Sequence, residues 1–149
     1  MIIRQAQLSD LDDILVWRND IISRKMSIDN KIISKTQHNK WFRCSINQKN
    51  CYLYIGEKNN IKVGIVRFNY DNIYNNLQVS ININPKMRGL GLSYELLFSS
   101  IKKVPSFKSF LFKAIIKKEN IASKKIFKKC GFKLHSSKGE LDYFFLRHA

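Results

Sequence analysis

The amino-acid sequence predicts one α+β (mixed α/β) domain that spans residues 1–149. The length and the 44% content of hydrophobic residues suffice for one packed core. Segments with the two-residue period of strands alternate with segments of helical period, in the order β-α-α-β-β-β-α-β-α-β-β. This order favours a mostly antiparallel sheet of about seven strands with helices on both faces.

The first third of the chain is predicted to hold one strand and two helices. Residues 2–6 form a short strand, and Ser9 provides an N-cap ahead of acidic residues and an apolar helical spacing. Residues 19–30 are polar and are expected to be irregular. The pattern from Ser34 to Gln37 is typical of a capping box and begins a second helix.

Three consecutive antiparallel strands are predicted in the middle of the chain. Apolar runs at residues 52–55 and 63–68 flank a polar turn, as in a hairpin. A second polar turn leads to residues 77–84, where apolar side chains alternate as on a strand with two distinct faces. The later elements are predicted at residues 92–103 (helix), 109–116 (strand), 119–129 (helix), 132–135 (strand) and 141–147 (strand).

A glycine turn connects the third of these strands to the next helix. Pro85 ends the strand, Gly89 and Gly91 follow, and from Leu92 the apolar residues are spaced as on one side of a helix. Glycines at such a turn let backbone N–H groups approach an anion, and the first helical turn adds unpaired donors and the positive end of its dipole. The stretch is either a phosphate-binding turn or a plain strand-to-helix connection.

The charge of the chain is strongly basic. Twenty-seven basic and 11 acidic residues give a net charge of +16, which can steer anionic partners. Much of the lysine excess is explained by genome composition, because the abundant Lys, Ile and Asn all have codons built from A and T. The lysines are dispersed, so we expect no nucleic-acid partner, although the field would help to collect a phosphate-bearing substrate.

The cysteines and the hydropathy of the chain indicate the cellular compartment in which the protein is expected. Cys44, Cys51 and Cys130 are odd in number and lack metal or redox spacing, which predicts free thiols and no metal site. The sequence has neither the pattern of a signal peptide nor a run of about 20 apolar residues. We expect a cytoplasmic protein without a membrane span, either a monomer or a homodimer.

Two motifs in the second half of the chain point to a family. The first is RGLGLS at residues 88–93, and the second is NIASKKIFKKCGF at residues 120–132. Their order, separated by one helix and one strand, resembles the GCN5-related N-acetyltransferase (GNAT) family over essentially the whole chain. The motifs look like that family's Q/R-x-x-G-x-G/A loop and its N-x-x-[AS]-x-x-x-[YF]-x-x-x-G-F pattern.

The resemblance implies the GNAT fold and acetyl-CoA as cofactor. The glycine loop would hold the pyrophosphate, and pantetheine would lie in a gap where the sheet splays between residues 77–84 and 109–116. Asn120 can equally be a helix N-cap, and core packing is the alternative for Phe127. The residues assigned to the coenzyme are Ile81, Ile83, Met87, Arg88, Gly89, Leu90, Gly91, Leu92, Ser93, Asn120, Ser123 and Phe127.

The usual acid and base of the family are missing. Gln78 stands where the family often has a glutamate base, and Phe127 stands where it often has a tyrosine acid. A missing base favours an acceptor such as an α-amine, with a pKa of about 8, or an amino sugar, over a lysine at about 10.4. The candidate catalytic residues, each of which can also be structural, are Asn82 with Ser80 and Asn84 for holding water, and Ser123, Cys130 and Tyr143 for donating a proton.

The N-terminal residues resemble those of acetyltransferases that modify nucleotide-linked amino sugars, especially in the pseudaminic acid pathway. Arg18, Arg24 and Lys25 would meet a diphosphate, and a tryptophan would stack on a base or sugar. Core packing and local hydrogen bonds are the structural alternatives for these residues. The candidate substrate-binding residues are Trp17, Arg18, Asn19, Arg24, His38 and Trp41.

The first functional hypothesis is therefore acetyl-CoA-dependent N-acetylation of a UDP-linked amino sugar for cell-surface glycan biosynthesis, by direct attack of a primary amine on the thioester. One alternative is a protein N-terminal acetyltransferase of the ribosomal-protein type, which would need an open groove for a peptide. A second alternative is a non-enzymatic basic module that binds nucleic acid or regulates a partner.

Overall fold

Seven strands pair into one sheet in the order β1-β2-β3-β4-β5-β7-β6. The structure is a computed structural model and describes residues 1–148. Every neighbouring pair is antiparallel except β4 and β5, which run parallel. The strands are β1 (Ile2–Gln5), β2 (Cys51–Lys58), β3 (Ile61–Asp71), β4 (Asn76–Ile83), β5 (Leu111–Lys117), β6 (Lys133–Lys138) and β7 (Leu141–Arg147). The helices are α1 (Leu11–Asn19), α2 (Ile21–Met26), α3 (Lys35–Ile46), α4 (Ser93–Lys103) and α5 (Ile121–Lys129).

Helices cover both faces of this sheet, which confirms the predicted mixed α/β class. On one face α4 and α5 bury apolar side chains such as Leu96 and Phe127 against Val66 and Phe112. On the other face α1 and α3 bury Trp17 and Phe42 against β2 and β3. The two cores lie back to back, as the alternating side chains of half-buried strands require.

The segment predicted to be irregular, residues 19–30, contains the additional helix α2. Asp20 caps it, because its carboxylate accepts the N–H of Ser23. The first helix also begins differently from the prediction. Ser9 lies inside a 3₁₀ turn, and the carboxylate of Asp10 accepts the N–H of Gln7. Both differences arise from side-chain contacts that composition does not report.

The sheet opens between β4 and β5, as the family resemblance implied. The two strands pair only at Leu77 with Phe112 and at Gln78 with Lys113. From Val79 onward β4 pairs with β3 alone. A wedge-shaped gap therefore separates the later part of β4 from β5, and the glycine turn lies at the end of β4 beside it.

A buried carboxylate joins the first strand, the first helix and the third strand. Asp10, with no exposed side-chain surface, forms two hydrogen bonds with Arg4, at 2.7 and 2.8 Å, and an ion pair with Lys62 at 2.8 Å. Burial alone would raise the pKa of Asp10, but the hydrogen bonds from Arg4 and Lys62 outweigh it and hold that pKa well below its usual range.

Replacing Asp10 by Asn is expected to lower the free energy of unfolding by about 3 kcal/mol at pH 7, because two cations lose their partner. The folded pKa lies below the unfolded value of about 3.9, so this stabilisation is present above that pH and is lost as the pH falls. The difference in the free energy of unfolding between wild type and variant, measured by urea denaturation, should therefore become smaller near about pH 2.5. Asp13→Asn is the matched control, since Asp13 pairs with the same Lys62 from an exposed position and should cost less than about 1 kcal/mol. Equal losses for the two variants would contradict the assignment.

Candidate active site

The glycine turn has the geometry of an open anion-binding loop. Gly89 and Gly91 have φ values of 74° and 71°, and a Cβ added to either residue would meet no atom within 4 Å. The N–H of Met87 is bonded to Asn84, but the N–H groups of Gly89 to Leu92 have no acceptor within residues 1–148. Helix α4 begins directly afterwards without a side-chain cap. Free donors and a helix N-terminus thus face the same open space.

Backbone groups of β4 point into the gap. The N–H of Asn84 donates to Val63, so in this antiparallel pair Asn84, Asn82 and Ser80 turn their backbone groups towards β3. Ile81 and Ile83, at the alternate positions, turn theirs towards β5, where strand pairing has ended. These are the two residues predicted to bind pantetheine, and their backbone orientation suits that role.

The second motif divides into a helix cap and a core residue. The side-chain oxygen of Asn120 accepts the N–H of Ser123, which makes Asn120 the N-cap of α5 and leaves its amide nitrogen for another partner. Phe127 is only 2% exposed and forms an edge-to-face contact with Phe132, with ring centroids 5.0 Å apart. Core packing therefore describes Phe127, and its ring has almost no surface for a coenzyme.

We expect Phe127→Tyr to lower the free energy of unfolding by about 1–3 kcal/mol, because its hydroxyl would enter an apolar core. The turnover of the folded enzyme should change little. Urea denaturation and initial rates measure the two effects separately. Phe98→Tyr is the control, since Phe98 is partly exposed beside Lys102 and its hydroxyl can reach water. A large gain in turnover would contradict the buried placement.

The arginine of the glycine loop contacts the N-terminal helices. Arg88 donates to Asp20 at 2.6 Å and to the hydroxyl of Ser23 at 2.8 Å. Ser23 in turn donates to the side-chain oxygen of Asn82 at 3.0 Å. The hydrogen bond from Arg88 lowers the pKa of Asp20, which keeps this carboxylate ionised and weakly basic. Sequence reasoning missed Asp20 and Ser23, which lie far from the loop along the chain.

Helix α2 spans the gap in the sheet. At one end Ser23 contacts Asn82 on β4, and at the other the amine of Lys117 on β5 donates to the backbone oxygen of Lys25 at 2.9 Å. The helix therefore lies over the place where β4 and β5 separate. The space beneath it, on the face of the sheet opposite α4, is the candidate acceptor site.

The candidate catalytic residues Asn82, Ser123 and Tyr143 lie on three different elements, and Ser123 belongs to α5, which packs on the same face of the sheet as α4. Asn82 is on β4 and already accepts from Ser23, whereas Ser123 lies in the first turn of α5. Tyr143 is on β7 across the gap, with the amine of Lys113 lying 5.5 Å from its ring centroid. Burial raises the pKa of the Cys130 thiol to about 11, which makes it a poor proton donor. Their catalytic roles stay predictions.

The predicted acceptor residues divide into interior and surface groups. Trp17 is 4% exposed in the second core, and His38 is 2% exposed, with its Nε2 donating to the carbonyl of Leu11 at 2.8 Å. Burial lowers the pKa of His38, which favours the neutral form of the imidazole. Both amide atoms of Asn19 bond to the backbone of Ile33. These three side chains stabilise the N-terminal segment and offer little surface to a ligand.

Arg18, Arg24 and Trp41 are the remaining predicted acceptor residues. Arg18 donates to the hydroxyl of Ser27 and to the carbonyl of Asp29, whereas the Nε of Arg24 is buried without a partner. Trp41 is partly exposed, and the guanidinium of Arg67 lies 5.4 Å from its ring centroid. Sequence reasoning missed Arg67, whose only signal was a charge inside an otherwise apolar strand.

A comparison with models of known protein families identifies one family. A family model described as an acetyltransferase (GNAT) domain matches residues 1–133. A search of curated protein sequences gives no significant match. Within residues 1–148, the helices are all too short or too polar to cross a membrane.

Solved structures share the fold at low sequence identity. An N-acetyltransferase from Staphylococcus aureus Mu50 has a TM-score of 0.78 at 23% identity and covers 98% of this chain and 97% of its own. A spermidine N-acetyltransferase from Vibrio cholerae, solved with CoA and spermine, has a TM-score of 0.80 at 14% identity and coverages of 97% and 92%. A ribosomal-protein-alanine N-acetyltransferase from Brucella melitensis has a TM-score of 0.79 at 21% identity and covers 97% of each chain.

Proposed function

Because the chain belongs to the GNAT acetyltransferase family, we propose that it acetylates the primary amine of a nucleotide-linked amino sugar. The protein is an acyltransferase that uses acetyl-CoA, and the family assignment favours an enzyme over the non-enzymatic alternative. The enzymes with similar structures are named for different acceptors, and they share only the fold with this chain. The identity of the acceptor therefore depends on the residues of this chain's own site.

The residues of the loop and the gap fit the coenzyme. The free N–H groups of Gly89 to Leu92 and the N-terminus of α4 would bind its pyrophosphate, and the backbone of Ile81 and Ile83 would bind its pantetheine amides. When bound, acetyl-CoA supplies the acetyl group as a thioester, which a neutral amine attacks directly. The Arg88 side chain is engaged with Asp20 and serves the loop by fixing its position.

The surplus of positive charge at the acceptor site is the main observation that supports an anionic acceptor. Arg18, Arg24 and Arg67 form no ion pair with any carboxylate of residues 1–148. A polyamine would be repelled by these groups, whereas the diphosphate of a nucleotide sugar would be attracted to them. Helix α2 covers the gap, which favours a small acceptor over a peptide that needs an open groove.

The proton chemistry also favours a weakly basic amine. Gln78 cannot accept a proton, and Asp20 is held ionised by Arg88 with a lowered pKa. An amine with a low pKa is already neutral in part near pH 7, so it needs little help from a base. The polar side chains of Ser80 and Asn82, next to the gap, would hold a water that takes the proton.

Gly91→Glu is expected to abolish coenzyme binding, because it places bulk and negative charge among the free N–H groups. Calorimetric titration with coenzyme A measures the affinity. Gly139→Glu is a matched control, because Gly139 also has a positive φ, of 58°, and open space around its Cβ position, but lies in the turn between β6 and β7. Unchanged affinity in Gly91→Glu would remove the loop assignment.

A UDP-linked 4-amino-4,6-dideoxy sugar is expected to stimulate the release of free thiol from acetyl-CoA, since it combines a weakly basic amine with a diphosphate. A thiol reagent measures the rate, and the already N-acetylated sugar is the control. Turnover of peptide α-amines without turnover of any nucleotide-linked amino sugar would replace this proposal by the peptide alternative.

A further inference from the structure

Arg67 projects from the middle of the sheet on the same face as the candidate acceptor site. It lies on β3, in register with Leu53 of β2 and Ser80 of β4. Residues opposite each other in antiparallel strands share a face, and Leu53 belongs to the core beneath α1 and α3. Arg67 is therefore on the face that α2 covers, and Ser80 alone separates it from the gap.

The charge of Arg67 is not compensated by the protein. Its side chain forms no hydrogen bond or ion pair with residues 1–148, and its Nε is buried without an acceptor. Burial lowers the pKa of the guanidinium, the nearby thiol of Cys51 acts in the opposite sense, and the positive charge of Arg18 lowers it further. An arginine nevertheless stays protonated, so a cation without a protein anion remains in a partly buried position.

The structural arginines of the same protein contrast with this arrangement. Arg4 is held by Asp10 and Glu57, and Arg88 is held by Asp20. Arg67 has only Trp41, whose ring fixes the guanidinium from one side through a cation–π contact at 5.4 Å. The ring restricts the side chain while leaving its terminal N–H groups to an external acceptor.

We propose that Arg67 binds an oxyanion of the acceptor, a phosphate or a carboxylate, and thereby makes the enzyme specific for anionic amines. The inference rests on the proposed acetyltransferase function and on the acceptor site beneath α2. The planar fork of the guanidinium forms two parallel hydrogen bonds with such a group, and Arg18 adds a second positive charge. Arg67 is thus a specificity residue for the acceptor and has no part in the transfer step itself.

Kinetics of Arg67→Met test this assignment, since Met removes the charge and keeps an unbranched apolar side chain. The KM for the UDP-linked amino sugar should rise roughly tenfold or more, because charge-assisted hydrogen bonds are lost. The KM for acetyl-CoA should be unchanged, and the melting temperature should stay the same or rise, because an uncompensated charge is gone. Arg43→Met, at an exposed position on α3, is the control and should change none of these.

Arg67→Lys gives a second, more conservative variant. It keeps the positive charge and loses the fork, so the KM for the acceptor should rise less than in Arg67→Met. A lower melting temperature together with equal rises in both KM values would indicate a structural residue and would overturn the proposal. A wild-type KM for the acceptor in both variants would overturn it as well.

Direct anion binding separates this proposal from the identity of the acceptor. Inorganic pyrophosphate and succinate are titrated calorimetrically into the protein saturated with coenzyme A, so that the glycine loop is occupied. At least one anion should bind the wild type, and it should bind the Arg67→Met variant roughly tenfold or more weakly. Which of the two anions binds distinguishes a phosphate ligand from a carboxylate ligand. If no nucleotide sugar is acetylated, the proposed acceptor is wrong. Weaker anion binding by Arg67→Met than by the wild type would still support the anion site. Equal affinity in both proteins, or no binding to the wild type, overturns the inference.

Discussion

The early end of pairing between β4 and β5 is the constraint on which the rest of the structure depends. A parallel pair that continued past Gln78 would consume the backbone groups of Ile81 and Ile83 and close the sheet. Because it stops there, an internal edge remains inside the domain, and its polar groups need partners. The glycine turn, the N-terminus of α4 and the helix α2 all lie around this edge. The proposed coenzyme and acceptor sites therefore both lie along this edge.

Electrostatics divides the charged residues into those that stabilise the fold and those left for ligands. Asp10, Asp20 and Asp142 each form an ion pair with a lysine or arginine of the protein. The acidic side chains are few, and these pairs leave a large excess of cations. Most of that excess is dispersed lysine on the surface, where water and salt screen it. Arg67 instead carries its charge in a partly buried position without a protein anion, so this single charge matters more for the proposed recognition of the acceptor than the net charge of +16.

The parts of the structure that depend on local sequence were predictable, and the parts that depend on distant contacts were not. Strand alternation at residues 77–84 and the change to helical spacing after Gly91 report on neighbouring residues, and they gave the strand and the glycine turn. The gap in the sheet was implied by the family resemblance. Helix α2 was missed, because six residues are too few to show a helical period and because its N-cap, Asp20, is held by Arg88, 68 positions away along the chain. Trp17 has a side chain that could stack on a ligand, and only the packing of α1 on the sheet shows that this side chain is buried.

The way α2 is held also determines when it forms and how easily it is lost. A helix of six residues is not stable alone in water. Its contacts with β4, the glycine turn and β5 join residues that are 59, 68 and 92 positions apart. Such contacts are made only after the sheet has assembled, because closing long loops is entropically costly. Helix α2 is thus a late element in folding, and its amides exchange with solvent through local openings that leave the sheet intact.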